Sequence, residues 1–155
     1  MAGVATDLVI EERPVGDPEL ARLLAAAFDE LVGRYGAEGR SQVKDGARYL
    51  VVLDDETAVG CGAVQAFEAD HEHAGDGEVK RMYVSPEARG RGLARVLLTC
   101  LEHVAREAGH PVMRLTTGHL QPAAIALYES SGYRRTDPWG KYVDQPSTFC
   151  YAKPL

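Results

Sequence analysis

Residues 84–95 combine glycines with arginines in a pattern that suits the binding of an anion. The segment reads Val-Ser-Pro-Glu-Ala-Arg-Gly-Arg-Gly-Leu-Ala-Arg, and an amphipathic stretch follows it. At the start of a helix the first backbone N–H groups have no partner within the helix, and the helix dipole is positive there. The small residues that let a ligand approach are Gly90, Gly92 and Ala94, and the cationic ones are Arg89, Arg91 and Arg95. The segment predicts a phosphate or pyrophosphate site, the alternative being a surface turn with solvated arginines.

Two common nucleotide-binding fingerprints do not fit this chain. A P-loop requires Gly-Lys followed by Ser or Thr, whereas Gly140-Lys141 precedes Tyr142. A dinucleotide fingerprint requires a third glycine at the position that Arg95 occupies. The pattern R-x-x-G-x-A does fit, with Arg89 in its first position. The two fingerprints that fail disfavour a phosphate- or nucleotide-binding protein of either of those two classes.

Two further segments carry motifs that accompany this pattern in one enzyme family. Residues 126–133 read Ala-Leu-Tyr-Glu-Ser-Ser-Gly-Tyr, and residues 80–84 read Lys-Arg-Met-Tyr-Val. Together with the glycine-rich segment they resemble the motifs of the GNAT superfamily of N-acetyltransferases over residues 78–133. A late Trp-Gly-x-Tyr at residues 139–142 adds a likeness to a bacterial subgroup, some of whose relatives have been linked to acetylation of an auxin-type acid.

The resemblance implies a fold, a reaction and a set of binding residues. The fold class is α/β, a mixed central β-sheet flanked by helices, with the acyl-CoA site at a strand, glycine-rich turn and helix. The reaction is direct transfer of an acetyl group from acetyl-CoA to a primary amine of a small molecule or protein. The residues implied to bind acetyl-CoA are Met82, Tyr83, Val84, Arg89, Gly90, Arg91, Gly92, Leu93, Ala94, Arg95 and Gln121. Many family members have Asn at the position of Gln121, which keeps the amide but adds a methylene.

The resemblance also assigns two residues to catalysis. Tyr128 takes the position of the acid that protonates the departing CoA thiolate, a role worth roughly 10²–10⁴-fold in rate; the alternative is a tyrosine that only packs in the core. Glu78 takes the position of the base that draws the amine proton through water. Its alternatives are a solvated strand end or a pair with Lys80, and the proton could instead pass directly to solvent. Backbone N–H groups of residues 82–84 are expected to stabilise the oxyanion.

The composition limits the classes of partner. The 155 residues carry 17 Lys and Arg against 23 Asp and Glu, a formal net charge of −6. This balance disfavours a nucleic-acid or anionic-membrane surface, which needs a basic face, and no apolar run reaches the roughly 18–20 residues of a membrane span. Cys61, Cys100 and Cys150 are far apart, so we expect buried free thiols in a reducing cytoplasm. His71 and His73 lack further ligands at metal spacing, so no metal is expected.

The expected partners are therefore acetyl-CoA and an amine acceptor, with no nucleic acid and no membrane. A homodimer is open, since dimers are common among similar proteins. A non-catalytic acyl-CoA-binding module of the same fold is the alternative function. The presence of Tyr128 argues against it, because a pure binder does not need the acid.

Hydrophobic spacing and turn residues predict the elements that must position these residues. The predicted order is β-α-β-β-β-α-β-α-β-β, with a helix after Asp17 and a hairpin turn at residues 54–56. We expect one GNAT domain over residues 1–155. Acceptor specificity is expected from the loops, which are residues 33–47, 69–77 and 135–146, the last including Trp139 and Tyr142.

Overall fold

The computed structural model describes residues 8–36 and 43–155, and within them it shows three α-helices and seven strands. The helices are α1 (Pro18–Tyr35), α2 (Leu93–Glu107) and α3 (Pro122–Ser130). The strands are β1 (Leu8–Arg13), β2 (Arg48–Asp54), β3 (Thr57–Ala66), β4 (Gly77–Val84), β5 (Val112–Gly118), β6 (Arg134–Arg135) and β7 (Thr148–Pro154). The strands form one mixed sheet in the order β1-β2-β3-β4-β5-β7-β6. The predicted order of helices and strands is confirmed.

The chain divides into two compact units. The first contains the described residues before position 43 together with residues 48–63 and 81–100. The second contains residues 43–47, 64–80 and 101–155. Strands β3 and β4 and helix α2 each contribute residues to both units. The predicted loop at 33–47 lies partly outside the described residues, since 37–42 are not described.

Helix α1 of the first unit begins directly after Asp17, as its sequence predicts. The carboxylate of Asp17 accepts a hydrogen bond of 3.0 Å from the N–H of Leu20, which satisfies one of the helix's unpaired donors. Arg13 holds that carboxylate in place through contacts of 3.0 Å. The helix ends at Gly36, whose φ of 78° suits glycine. Leu20 and Leu23, on the apolar face of the helix, are fully buried.

A tight turn joins β2 to β3 in the first unit. Its central residues, Asp55 and Glu56, both have positive φ, at 48° and 69°. This is the geometry of the two-residue hairpin turns that match the twist of a β-ribbon. The acidic turn predicted at residues 54–56 is confirmed. On its other side, β2 pairs antiparallel with β1, from Leu8↔Asp54 to Arg13↔Tyr49.

Strand β5 organises the second unit. It pairs antiparallel with β7 along its whole length, from Val112↔Pro154 to Gly118↔Thr148. It pairs in parallel with β4 at Gly77↔Met113 and Glu78↔Arg114, at the start of both strands. A 3-10 turn at Gly140–Asp144, which the sequence did not predict, lies in the loop before β7.

The expected buried thiols are only partly confirmed. Cys61 and Cys150 are buried and free, whereas Cys100 is free but only half-buried. Burial raises the pKa of the Cys61 thiol to about 12, so this thiol stays protonated at neutral pH. Among the helices of the described residues, none combines the length and apolarity needed to cross a membrane.

A buried carboxylate joins three elements of the second unit. Glu102 on α2 accepts 2.8 Å and 3.1 Å hydrogen bonds from the hydroxyl of Tyr133 and the ammonium of Lys153 on β7. Glu102 is buried, and Lys153 is largely shielded from water. Removing a buried carboxylate leaves its donors without an acceptor, which is costlier than the loss of a surface ion pair.

We predict that Glu102→Leu lowers the free energy of unfolding by about 3 kcal/mol, because the Lys153 ammonium and the Tyr133 hydroxyl both lose their acceptor. Urea unfolding followed by circular dichroism measures the change. Tyr133→Phe is the matched control and should cost only about 1 kcal/mol, since Glu102 keeps its ion pair. Equal losses in the two variants would contradict the prediction.

Candidate functional site

The predicted anion-binding turn has the backbone that its glycines suggest. After β4 ends, a 3-10 turn at Pro86–Ala88 leads to Gly90 and Gly92, whose φ angles are 83° and 76°. Both lie in the left-handed region, which L side chains rarely adopt. A Cβ atom at either position would meet nothing within 4 Å. Conformation is therefore what favours glycine here, and the space beside both residues is open at the first turn of α2.

Arg89 and Arg91 are held by carboxylates of the first unit. The guanidinium of Arg89 lies 2.6 Å from Glu30 of α1, and its Nε donates a 2.8 Å hydrogen bond to the carbonyl of Val84. Arg91 forms an ion pair with Asp54 at the end of β2. Glu30 and Asp54 therefore offset part of the positive charge that the sequence concentrates at this turn.

The end of β4 departs from regular strand geometry. Arg81 has a φ of 58°, an uncommon value for a residue other than glycine. Residues 77–80 before it are buried, whereas Met82, Tyr83 and Val84 after it are half-buried. The positive φ at Arg81 therefore interrupts the regular strand geometry between these two parts of β4. Neighbouring Gly60 permits a close approach, since a Cβ there would lie 3.0 Å from the carbonyl oxygen of Tyr83.

In the second unit, Glu78 belongs to a buried polar network. Only 5% of Glu78 is exposed. Its Oε1 accepts a 3.0 Å hydrogen bond from Nε2 of Gln65 on β3, and its Oε2 lies 3.5 Å from the ammonium of Lys80. Gln65 and Lys80 are also buried. The structure thus places Glu78 in the pair with Lys80 that the sequence left, beside a solvated strand end, as an alternative to the role of base.

Tyr128 lies on α3 with its phenol buried in the second unit. Its ring packs edge-on against Tyr133 at 5.9 Å between centroids. Burial raises the pKa of Tyr128, so its phenol stays protonated at physiological pH. The hydroxyls of Tyr133 and Tyr151 donate to Glu102 and Glu129 respectively. Among the described residues, no such carboxylate is shown to accept the proton of Tyr128.

Gln121 immediately precedes α3. It is half-buried, and its side chain does not cap the helix, although its backbone N–H donates a 3.1 Å hydrogen bond to the carbonyl of Gly118. The side-chain amide of Gln121 is thus not used to cap the helix.

The loop at 69–77 packs on an aromatic cluster of the second unit. His73 lies edge-on to Trp139 at 5.5 Å, and Phe67 contacts both Trp139 and His71. Trp139 is only 2% exposed and packs in the core with Phe67 and Cys150. Burial, followed by the charge of Arg114, lowers the pKa of His73, which keeps this imidazole neutral at pH 7. Within the described ranges, no three potential metal ligands come together.

Sequence reasoning missed the side chains that support the predicted residues. Glu30 and Asp54 pair with the arginines from 59 and 37 residues away. No local pattern signals pairs of such separation. Gln65 did leave a signal, because it is the one amide in the apolar strand at 57–66. A buried polar side chain in such a strand requires a partner, and here that partner is Glu78.

Comparison with known proteins decides the family. The model of the acetyltransferase (GNAT) family matches residues 12–133, which is more than half of the chain. The chain belongs to the GNAT acetyltransferase family. It is accordingly an enzyme of the N-acetyltransferase type, and its mixed seven-stranded sheet with three helices in the described residues is the GNAT fold.

Individual GNAT proteins support this assignment. The chain is 42% identical over 112 residues to a protein named IAA acetyltransferase from Azospirillum brasilense, covering 72% of this chain and 71% of the relative. A crystal structure from Klebsiella pneumoniae, named for an acyl-CoA N-acyltransferase, is 33% identical with a TM-score of 0.78 and covers 96% of this chain and 97% of its own. PaiA N-acetyltransferase from Thermoplasma acidophilum, in complex with coenzyme A, shares the fold at 18% identity, with a TM-score of 0.73 and coverage of 96% and 99%.

Proposed function

We propose that this GNAT protein transfers an acetyl group from acetyl-CoA directly to a primary amine of a small molecule or protein. The observation that carries the proposal is the pair of left-handed glycines, Gly90 and Gly92, with open space beside them at the start of α2. Backbone N–H groups at a helix start suit a pyrophosphate, because they are unpaired and the dipole is positive there. The coenzyme A in the structure of PaiA N-acetyltransferase supports the same ligand class for this fold.

The binding roles follow from where each residue lies. Leu93 is buried, so its backbone and not its side chain is available to a phosphate. Arg91 and Arg95 are exposed at the helix start. Arg89 acts mainly by bracing the turn, since its guanidinium is committed to Glu30 and to the carbonyl of Val84. We assign the pantetheine arm to Gln121 and to the backbone of Met82, Tyr83 and Val84, the half-buried end of β4.

Tyr128 is proposed as the acid that protonates the CoA thiolate. In the transfer a carbon–nitrogen bond forms at the acetyl carbonyl and the carbon–sulfur bond breaks. The phenol is protonated at neutral pH and donates its proton to sulfur as the thiolate develops. The phenolate recovers a proton from solvent at the end of the cycle.

Glu78 is proposed as the base that receives the proton of the attacking amine. A carboxylate oxygen has two lone pairs, so each oxygen of Glu78 retains an acceptor site beside its contact to Gln65 or Lys80. The oxyanion that forms at the acetyl carbonyl is assigned to backbone N–H groups of residues 82–84. A single GNAT domain over residues 1–155 and a cytoplasmic location that suits the free thiols complete the proposal.

We predict that acetyl-CoA raises the melting temperature of the wild type and that Gly92→Glu abolishes the shift, because a carboxylate would face the pyrophosphate. Gly92→Gln is the matched control, since it imposes the same backbone strain at a φ of 76° without a charge. We expect the glutamine variant to keep part of the shift in differential scanning fluorimetry. Loss of the whole shift in both variants would assign the effect to the backbone alone. No shift in the wild type would overturn the cofactor proposal.

We predict that Tyr128→Phe lowers kcat by roughly 10²-fold or more, the usual weight of a positioned proton transfer. Its dissociation constant for acetyl-CoA should be unchanged within error. Tyr133→Phe is the control, because it removes a buried hydroxyl from the neighbouring ring whose proton already serves Glu102. Similar kcat values for both variants would remove Tyr128 from the acid role.

A panel of acceptors tests the reaction itself, with release of the CoA thiol as the measurement. The panel contains free amino acids, polyamines, arylalkylamines, a peptide with a free N-terminus, and indole-3-acetic acid. The last is included because the Azospirillum relative is named IAA acetyltransferase. We expect turnover with an amine. Turnover with indole-3-acetic acid alone would mean that the acceptor is a carboxylate and not an amine. No turnover with any acceptor would favour the non-catalytic acyl-CoA-binding alternative.

A further inference from the structure

We propose that Gln65 is a positioning residue that orients the carboxylate of Glu78 for proton transfer. The inference rests on the proposed function, in which Glu78 is the base. It extends that function by one step, because it names the side chain that determines the direction of the base. All of the contacts that carry it lie within the second unit.

The amide of Gln65 has a defined orientation. Its Oε1 accepts a 2.9 Å hydrogen bond from the backbone N–H of Lys44, and a backbone N–H can only donate. The oxygen of the amide must therefore face Lys44, and the NH2 group must face the other way. That NH2 group lies 3.0 Å from Oε1 of Glu78, which is an acceptor when ionised. The two contacts are complementary and fix each other.

The loop that contains Lys44 is itself anchored on the end of β3. The ammonium of Lys44 lies 3.5 Å from the carbonyl of Ala66 and 3.5 Å from the carboxylate of Glu68. It also lies 5.8 Å from the centroid of the Phe67 ring. These contacts bring the Lys44 N–H to Gln65 and so extend the support of Glu78 into the loop at 43–47.

A buried carboxylate can rotate about its last bond unless both oxygens are held. In this protein Gln65 holds Oε1 and Lys80 holds Oε2, so the plane of the carboxylate is defined from both sides. The remaining lone pairs then point in fixed directions. Since catalytic rates fall steeply when a reacting group is misplaced by about 1 Å, the orientation of this plane is worth a measurable part of kcat.

Lys80 and Gln65 differ in what they add. Lys80 supplies a charge at 3.5 Å, which attracts the carboxylate with little directional preference. The amide of Gln65 supplies a directional hydrogen bond and no charge. Replacing Gln65 therefore changes the direction of the base while leaving the ion pair in place, which makes it the selective probe.

The test is a double-mutant cycle between Gln65 and Glu78, with kcat measured by CoA thiol release at saturating acetyl-CoA and the fastest acceptor of the panel. We expect Gln65→Met to lower kcat by roughly tenfold or more while the KM for acetyl-CoA changes little. In the Glu78→Gln background the same substitution should change kcat by less than about twofold, because there is no longer a base to orient.

A substitution that merely loosens the fold would lower kcat equally in both backgrounds, and that result would overturn the inference. Melting temperatures report the folded state of each variant. Should Gln65→Met not fold, Gln65→Asn replaces it, since it stays polar and uncharged but its shorter side chain withdraws the donor from Glu78.

The failure of the inference can be told apart from the failure of the proposed function. If the wild type turns over no acceptor, the transferase proposal fails. If the wild type is active and Glu78→Gln keeps its kcat, the base assignment fails and the role of Gln65 fails with it. If Glu78→Gln is impaired and Gln65→Met is not, only the positioning role is wrong.

Discussion

The left-handed backbone at Gly90 and Gly92 is the constraint on which the glycine-rich turn between β4 and α2 depends. Two positive φ angles within three residues redirect the chain from the end of β4 into α2. Residues with a Cβ would be strained there, and any side chain would occupy the open space beside the first turn of the helix. The same choice of residue therefore satisfies the bend and leaves the helix start uncovered. Glycine at these two positions thus accounts both for the bend of the chain and for the access to the backbone at the helix start.

The charges around that turn are less one-sided than the sequence suggests. Arg89 has an ion pair with Glu30, a hydrogen bond to a carbonyl and a ring contact with Tyr83 at 5.6 Å, so its position is well defined. Arg91 has the ion pair with Asp54, whose buried Oδ1 has no hydrogen-bond partner in the described part of the chain. Both guanidinium groups are thus already paired with carboxylates of the first unit, which offsets part of their positive charge.

The sequence determined the elements well because their signals are local. Asp17 with Pro18 starts a helix, Gly36 ends one, and the acidic turn at Asp55 and Glu56 needs only its neighbours to form. Residue environments that depend on distant parts of the chain were not predictable. Arg81 adopts its φ of 58° in β4, and no local feature of the sequence of that strand predicts the irregularity. The same difference between local and distant signals holds for the site residues. Motifs placed Tyr128 on a helix and Glu78 on a strand, but they gave no sign of Glu30 or Lys44.

Tyr128, Tyr133 and Tyr151 show why residue type alone does not define a role. All three belong to the second unit, and burial raises the pKa of each. Tyr133 and Tyr151 donate their protons to carboxylates, so transfer of either proton to a thiolate would break an existing charge-assisted hydrogen bond. The proton of Tyr128 has no such bond to a carboxylate among the described residues. Of the three phenols, Tyr128 is therefore the one whose proton is not already held by a carboxylate of the described residues.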